Sequence, residues 1–175
     1  MKTKGSEAIS EEWIYDCVNP SQLRVALDKL SADKSKKNLK RLAEERLTML
    51  TTGSTDVQKK EAEALRLKGN DFVKGEDYKK ALEFYTLSIK ADPTESTVFS
   101  NRALTHIRDV NYQKALDDAN RAIFLNKENA RGYQRRAEAL MGLKQYRNAF
   151  VTAKALLKKD PANKIVIPRV AQYRV

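Results

Sequence analysis

A repeat of 34 residues is the feature of this sequence that most restricts its fold. Tyr78, Tyr112 and Tyr146 follow one another at this spacing, and an alanine stands three residues after each. A small residue recurs nine positions before each tyrosine: Gly69, Ala103 and Ala137. Small side chains at a fixed register let two helices approach closely, and a single helix pair cannot bury its own apolar face. The sequence therefore predicts helix pairs that stack on one another.

The repeated pattern resembles the tetratricopeptide repeat. The copies run over 62–95, 96–129 and 130–163, and Lys127 stands where this family usually has a proline. The resemblance implies an all-α fold, a superhelix of three helix-turn-helix repeats with a concave inner surface. Only six glycines and four prolines occur, which also favours helices over a many-turned β-sandwich. We expect His106 to be packed between helices rather than to bind a ligand.

The chain before the repeats is predicted to be an N-terminal helical appendage over residues 1–57. A short helix is expected over 11–17, and Asn19-Pro20 is typical of the start of a second one. A third helix is predicted over 36–50, residues 51–55 form the predicted break, and Thr55 is a candidate cap for the first repeat helix. Residues 164–175 are predicted to be a C-terminal cap that is short or truncated, and end-to-end association through an uncapped end is the alternative.

The positive charge of the chain lies in the repeats. The net charge is +11, and residues 58–175, with 24 basic and 14 acidic side chains, carry +10 of it. Such a surface attracts anions such as nucleic acid, acidic lipid or acidic peptide. On charge alone, the other interpretation is a well-solvated helical surface with surplus lysine.

The composition argues against an enzyme. One cysteine, Cys17, and one histidine, His106, allow no internal disulfide framework and no usual zinc site. They also leave little material for acid–base or nucleophilic catalysis. We therefore expect no catalytic residue, no metal and no cofactor. No apolar run is long enough to span a bilayer and no targeting segment is visible, so we expect a cytoplasmic monomer without a membrane partner.

Five side chains on the predicted first helices carry the functional prediction. Arg66 and Asn70 are four residues apart and therefore share one helical face, as do Arg131 and Arg135, while Asn101 lies between these pairs in the sequence. These residues, which we call the clamp residues, resemble the dicarboxylate clamp of co-chaperones that bind Hsp70 and Hsp90. The resemblance implies a groove, with no carboxylate among the clamp residues, that holds an acidic C-terminal tail ending in Glu-Glu-Val-Asp.

The resemblance also implies a role for each clamp residue. Arg66, Asn70 and Asn101 would hold the terminal main-chain carboxylate of the tail. Arg131 would hold the side chain of the last aspartate, and Arg135 would reach the peptide backbone or the next acidic residue. Arg66 and Arg131 stand where many members have lysine, and the planar two-pronged guanidinium changes the contact geometry while keeping the charge.

A second group of residues is a candidate pocket for the tail. Val73 lies one turn past Asn70, and Leu104 and Arg108 follow Asn101 on its face of the helix. These three residues could form a small apolar pocket for the penultimate valine and touch upstream residues. The equally weighted alternative for Val73 and Leu104 is a place in the core. They do not decide between Hsp70 and Hsp90.

The favoured function is therefore a chaperone adaptor, and two other functions stay open. One is nucleic-acid binding through the basic surface, which we do not expect because no exposed aromatics alternate with the basic residues. The other is a protein-interaction scaffold that binds no chaperone tail. The segments 15–17, 22–30 and 45–47 also resemble the start of the sperm-associated antigen family of dynein-assembly co-chaperones, which implies a client related to cilia.

Overall fold

The computed structural model describes residues 9–31 and 36–159. The cap predicted over 164–175 and the end of the third copy lie outside the described residues. Within the described ranges the chain is built from helices, which confirms the predicted all-α class. The helices are α1 (Glu11–Asp16), α2 (Pro20–Ser31), α3 (Lys37–Thr52), α4 (Asp56–Lys74), α5 (Tyr78–Ala91), α6 (Ser96–Arg108), α7 (Tyr112–Leu125), α8 (Ala130–Gly142) and α9 (Tyr146–Lys159).

The last six of these helices form three antiparallel pairs, α4 with α5, α6 with α7 and α8 with α9. The second helix of each pair begins at the repeated tyrosine, so these helix starts recur with the period of 34 residues. The first helices of successive pairs also contact one another, α4 with α6 and α6 with α8. Because the second helices lie outside this row, the array curves around α4, α6 and α8. These three helices line the inner surface of the array, and they are the helices that carry the clamp residues.

The turn inside each pair has the same backbone conformation. Glu76, Val110 and Lys144 are 34 residues apart, and each has a positive φ, at 60°, 58° and 60°. The residue after each of them donates its N–H to the carbonyl five positions earlier, over 2.8–3.0 Å. This bond pattern closes a helix through one left-handed residue, usually a glycine. The chain uses larger residues there, so the surrounding helix contacts hold these turns in place.

Close approach within the pairs occurs at the small residues that the sequence singled out. Ala81, Ala103, Ala115, Ala137 and Ala149 are fully buried. Two glycines are in contact with aromatic rings. A methyl group added at Gly69 would lie 2.6 Å from a ring carbon of Tyr85. The same change at Gly142 would overlap the ring of Tyr112.

Substituting Gly142 tests this packing between α7 and α8. Gly142→Ala should lower the free energy of unfolding by about 2 kcal/mol, because overlap with the Tyr112 ring outweighs the better helix propensity of alanine. Gly75→Ala is the matched control, since the nearest atom to its added methyl lies 3.7 Å away. Urea denaturation measures both variants, and equal stability for the two would contradict the packing.

The N-terminal helices form a small core of their own. α2 packs against α3, and α1 packs against both α3 and α5. Ile14, Leu23, Leu30 and Ala43 are almost completely buried in this cluster. Leu23 and Leu30 of α2 therefore face α3. The appendage lies against α5, the outer helix of the first pair.

The predicted break over 51–55 is wrong at its first two residues, because α3 continues to Thr52. The hydroxyls of Thr51 and Thr52 donate to carbonyls of the preceding turn, at 2.9 Å and 2.8 Å, and so add bonds within the helix. The chain turns at Gly53, whose φ is 84°. Thr55 caps α4 as predicted, because its side chain accepts a bond from the backbone N–H of Gln58.

Buried arginines join the appendage to the repeats. Arg46 of α3 is 2% exposed and donates to the carbonyl of Ile89 near the end of α5, at 2.8 Å, and to that of Cys17, at 3.1 Å. Burial lowers the pKa of Arg46 to about 9. Arg102 of α6 donates to Asp118 of α7 and to Asp16 at the end of α1, with contacts of 2.8 Å. Asp16 thus reaches past the first helix pair into the second.

Asp16 should contribute stability that depends on pH. Burial by itself raises the pKa of Asp16, but the charges of Arg102 and Arg121 outweigh it, so the pKa is lowered from 3.8. A lowered carboxyl pKa stabilises the fold above 3.8, and the gain is lost as the pH falls through the folded-state value.

We expect Asp16→Asn to lose about 2 kcal/mol of unfolding free energy at pH 7, with the deficit shrinking below pH 4. Denaturation curves between pH 7 and pH 2 would measure this. Asp28→Asn, at an exposed position of α2, is the control and should match the parent protein. A deficit that stays constant with pH would contradict the pairing.

Candidate functional site

The predicted clamp residues lie on the three inner helices. Arg66 and Asn70 are on α4, Asn101 is on α6, and Arg131 and Arg135 are on α8. The contacts of α6 with both α4 and α8 place these helices side by side. The first two helices are joined at the clamp residues themselves.

The two asparagines are in direct contact across α4 and α6. The side-chain nitrogen of Asn101 donates to the amide oxygen of Asn70, at 2.9 Å. The hydroxyl of Tyr85, on α5, donates to the same oxygen at 2.7 Å. Both asparagines are half-buried, so these bonds fix amides that a ligand can still reach. Tyr85 was missed by the sequence analysis, because its position in the repeat marks a packing residue.

Arg66 lies one turn before Asn70 on α4, and its charge acts on the Tyr85 hydroxyl. Burial raises the pKa of the Tyr85 hydroxyl to about 12, and the charges of Arg66 and Arg108 act on it in the opposite direction. The charges of Arg66 and Arg108 therefore act on the hydroxyl that donates to Asn70. Cationic groups next to amide donors make a site for a carboxylate.

The start of α8 is tied to α6. Asn129, which caps α8, donates from its side chain to the hydroxyl of Ser100, at 3.0 Å, and to that of Ser96, at 3.2 Å. Arg131 follows in the first turn of α8, one turn before Arg135. Arg131 is exposed and forms no salt bridge within 9–31 and 36–159, so its charge is available to a ligand.

No carboxylate is among the clamp residues, but two carboxylates lie directly beside them. Glu138 contacts Arg135 at 2.8 Å, and both side chains are mostly buried. Glu63 contacts Arg66 at 3.5 Å, with the glutamate largely exposed. Each glutamate is three residues from its arginine on the same helix, a spacing at which helical side chains meet. That spacing is the sequence signal that could have predicted both pairs.

The candidate pocket residues have different environments. Val73 is half-buried and packs against the central cluster around Tyr85 and Phe99. It therefore makes the core contact that was predicted as the alternative to a peptide pocket. Leu104 is half-buried and Arg108 is exposed. The use of these three residues by a peptide remains a prediction.

A cavity lies away from the clamp residues. It has a volume of about 860 Å³ and is lined by residues of α1, α5, α6 and α7, among them Trp13, Leu82, Arg102 and His106. His106 is buried there, as predicted, and burial lowers its pKa. The clamp residues are absent from its lining, and Arg66 lines a second, smaller cavity of about 340 Å³ together with Glu63 and Ser88.

The comparisons with known proteins identify the family. The chain is 30% identical to the TPR domain of OM64 from Arabidopsis, with a TM-score of 0.65, over 67% of this chain and 97% of that one. It is 32% identical to the TPR2B domain of yeast Sti1 in complex with pHsp70, with a TM-score of 0.58, over 64% of this chain and 91% of that one. The chain belongs to the tetratricopeptide repeat family. No family model matches it.

Further relatives of this tetratricopeptide repeat chain are longer or peptide-bound. The first TPR domain of Spaghetti (RPAP3) bound to the HSP90 peptide SRMEEVD is 28% identical, with a TM-score of 0.64, over 65% of this chain and 90% of that one. Human serine/threonine-protein phosphatase 5 is 38% identical over 105 residues, 60% of this chain and 21% of the enzyme. Human sperm-associated antigen 1 is 32% identical over 110 residues, 63% of this chain and 12% of that protein. The chain thus spans about a fifth of the length of the first curated relatives it matches.

The structure also bears on membrane insertion. Among the helices of residues 9–31 and 36–159, none combines the length and the apolar character needed to cross a bilayer.

Proposed function

We propose that this chain is a co-chaperone adaptor that binds the acidic C-terminal tail of Hsp70, Hsp90 or both. The tail would lie along α4, α6 and α8 in the groove that the clamp residues line. The observation that carries the proposal is the contact between Asn70 and Asn101, which joins two repeats one helical turn after Arg66 on α4.

The chemistry of a free C-terminus fits this arrangement. A terminal aspartate carries two carboxylates on one residue, a density of charge that an internal residue does not have. Arg66, Asn70 and Asn101 would hold the main-chain carboxylate, and Arg131 the side chain. Arg135 would reach the backbone or the next acid. Each charge-assisted bond is worth about 1.5–3 kcal/mol before ordering costs, and we expect micromolar affinity, about −8 kcal/mol in total.

The comparisons support the class of ligand. The yeast Sti1 domain is described in a complex with pHsp70, and the Spaghetti domain with an HSP90 peptide that ends in EEVD. Both domains share this fold with the present chain at 32% and 28% identity. The two complexes name different chaperones, so the proposal includes both.

The appendage is proposed to bring in a client. The helices α1–α3 of the appendage pack on the outer side of the first helix pair, which would leave the inner surface to the tail. The similarity to sperm-associated antigen 1 is in keeping with a client from dynein assembly, and that role remains a prediction. No catalytic role is proposed for this chain.

Peptide titration tests the proposed clamp. The peptide Met-Glu-Glu-Val-Asp with a free C-terminus should bind, and the same peptide with a C-terminal amide should lose most of its affinity. Arg131→Ala should weaken binding of the free acid at least about tenfold, roughly 1.4 kcal/mol, because it removes an exposed cation that pairs with no carboxylate of residues 9–31 and 36–159.

Arg147→Ala is the matched control, since Arg147 is also exposed but lies on the outer helix α9. Isothermal titration calorimetry at two salt concentrations gives both affinities, and added salt should weaken the wild-type complex. Equal binding of the acid and the amide would reject the clamp. Binding of RNA with no response to the peptide would favour the nucleic-acid alternative instead.

Glu138 should limit the affinity of the groove. Its carboxylate pairs with Arg135 at 2.8 Å and would repel an acidic peptide. Glu138→Gln should therefore tighten peptide binding about threefold, mainly at low salt. Glu44→Gln, on α3 in the appendage, is the control and should leave the affinity unchanged. Weaker binding by Glu138→Gln would mean that Glu138 positions Arg135 rather than competing for it.

A further inference from the structure

Tyr85 reaches the clamp from outside the row of inner helices. It lies on α5, is 1% exposed, and its hydroxyl donates to the amide oxygen of Asn70 at 2.7 Å. The absence of a side chain at Gly69 makes room for its ring, because a methyl there would lie 2.6 Å from a ring carbon. The ring could fill this space without a hydroxyl, so the polar contact is not needed for packing.

The two bonds at the Asn70 oxygen determine where the rest of that amide points. The oxygen accepts from both Tyr85 and Asn101, so it is directed toward the protein. The nitrogen of a carboxamide lies on the opposite side of the group from its oxygen. The two N–H donors of Asn70 are therefore directed away from Tyr85. A rotated amide would instead present its oxygen to a carboxylate and repel it.

We propose that Tyr85 is a positioning residue that sets the amide orientation of Asn70, so that donors rather than an acceptor meet the terminal carboxylate of the peptide. This inference rests on the proposed function. Asn101 is held in the same chain of bonds, because one hydrogen of its side-chain nitrogen is used at Asn70 and the other remains for a ligand.

The repeat register supports the pairing of these two residues. The positions equivalent to Tyr85 in the other two copies are Ala119 and Ala153. The positions equivalent to Asn70 are Leu104 and Glu138. The phenol and the asparagine therefore occur together in one copy and are both missing from the others.

The hydroxyl is a donor at any pH at which the peptide would bind. Burial raises the pKa of the Tyr85 hydroxyl to about 12, and the charge of Arg66 opposes this rise only in part. The bond to Asn70 is therefore not switched off by deprotonation near neutral pH.

Tyr85→Phe tests the role, because it removes one oxygen and keeps the ring. We expect affinity for the free-acid peptide Met-Glu-Glu-Val-Asp to fall about fivefold, with affinity for the amidated peptide almost unchanged. The preference for the free acid should shrink accordingly, which a general loss of packing would not produce. Tyr112→Phe is the matched control, since its ring also packs on a glycine and its hydroxyl has no hydrogen bond to the described residues.

A double-mutant cycle sharpens the test. On an Asn70→Ala background, Tyr85→Phe should have no further effect on peptide binding, because the hydroxyl acts through that amide. Additive losses would overturn the inference, as would an undiminished acid preference in Tyr85→Phe, or a collapse of its thermal transition. If the wild-type protein shows no acid preference at all, the proposed function fails first and this inference fails with it.

Discussion

Close contact within the helix pairs is the constraint on which the rest of the structure depends. At Gly69 the missing side chain lets α5 bring the Tyr85 ring against α4, and fully buried alanines do the same in the other pairs. This contact fixes the distance and register of each pair, and stacking the pairs then fixes the inner helices. The amides of α4 and α6 meet as a consequence, so the groove is organised before any ligand arrives.

Buried charge has a separate role from the groove. Arg102 neighbours the clamp residue Asn101 in sequence but points to Asp118 and Asp16, and so joins α1 to the second pair. A buried ion pair contributes little net stability. It does disfavour other arrangements of the helices, because these would leave a buried charge without a partner, which costs free energy. The appendage is therefore held in one position on the outer side of the array.

Two of the three clamp arginines are already paired with glutamates of the protein itself. Arg135 is paired with Glu138 and Arg66 with Glu63, whereas Arg131 has no such carboxylate among the described residues. In the proposed complex, a peptide would have to displace a glutamate from each of the first two arginines, but not from Arg131. A glutamate beside an arginine holds the guanidinium group in one place, which lowers the entropy cost of binding. The same glutamate also weakens the attraction of that arginine for an acidic peptide.

The 34-residue period by itself determined the helical class, the start of each second helix, and the helices that carry the clamp residues, because small and aromatic residues at fixed spacing allow few other packings. Tertiary structure alone decided that the Tyr85 hydroxyl donates to the Asn70 oxygen, that Asp16 pairs with Arg102 from 86 residues away, and that Val73 packs against the central cluster. Periodicity reports which face of a helix is buried. It does not report which polar atoms of different helices come within bonding distance, since that depends on how the helix pairs stack.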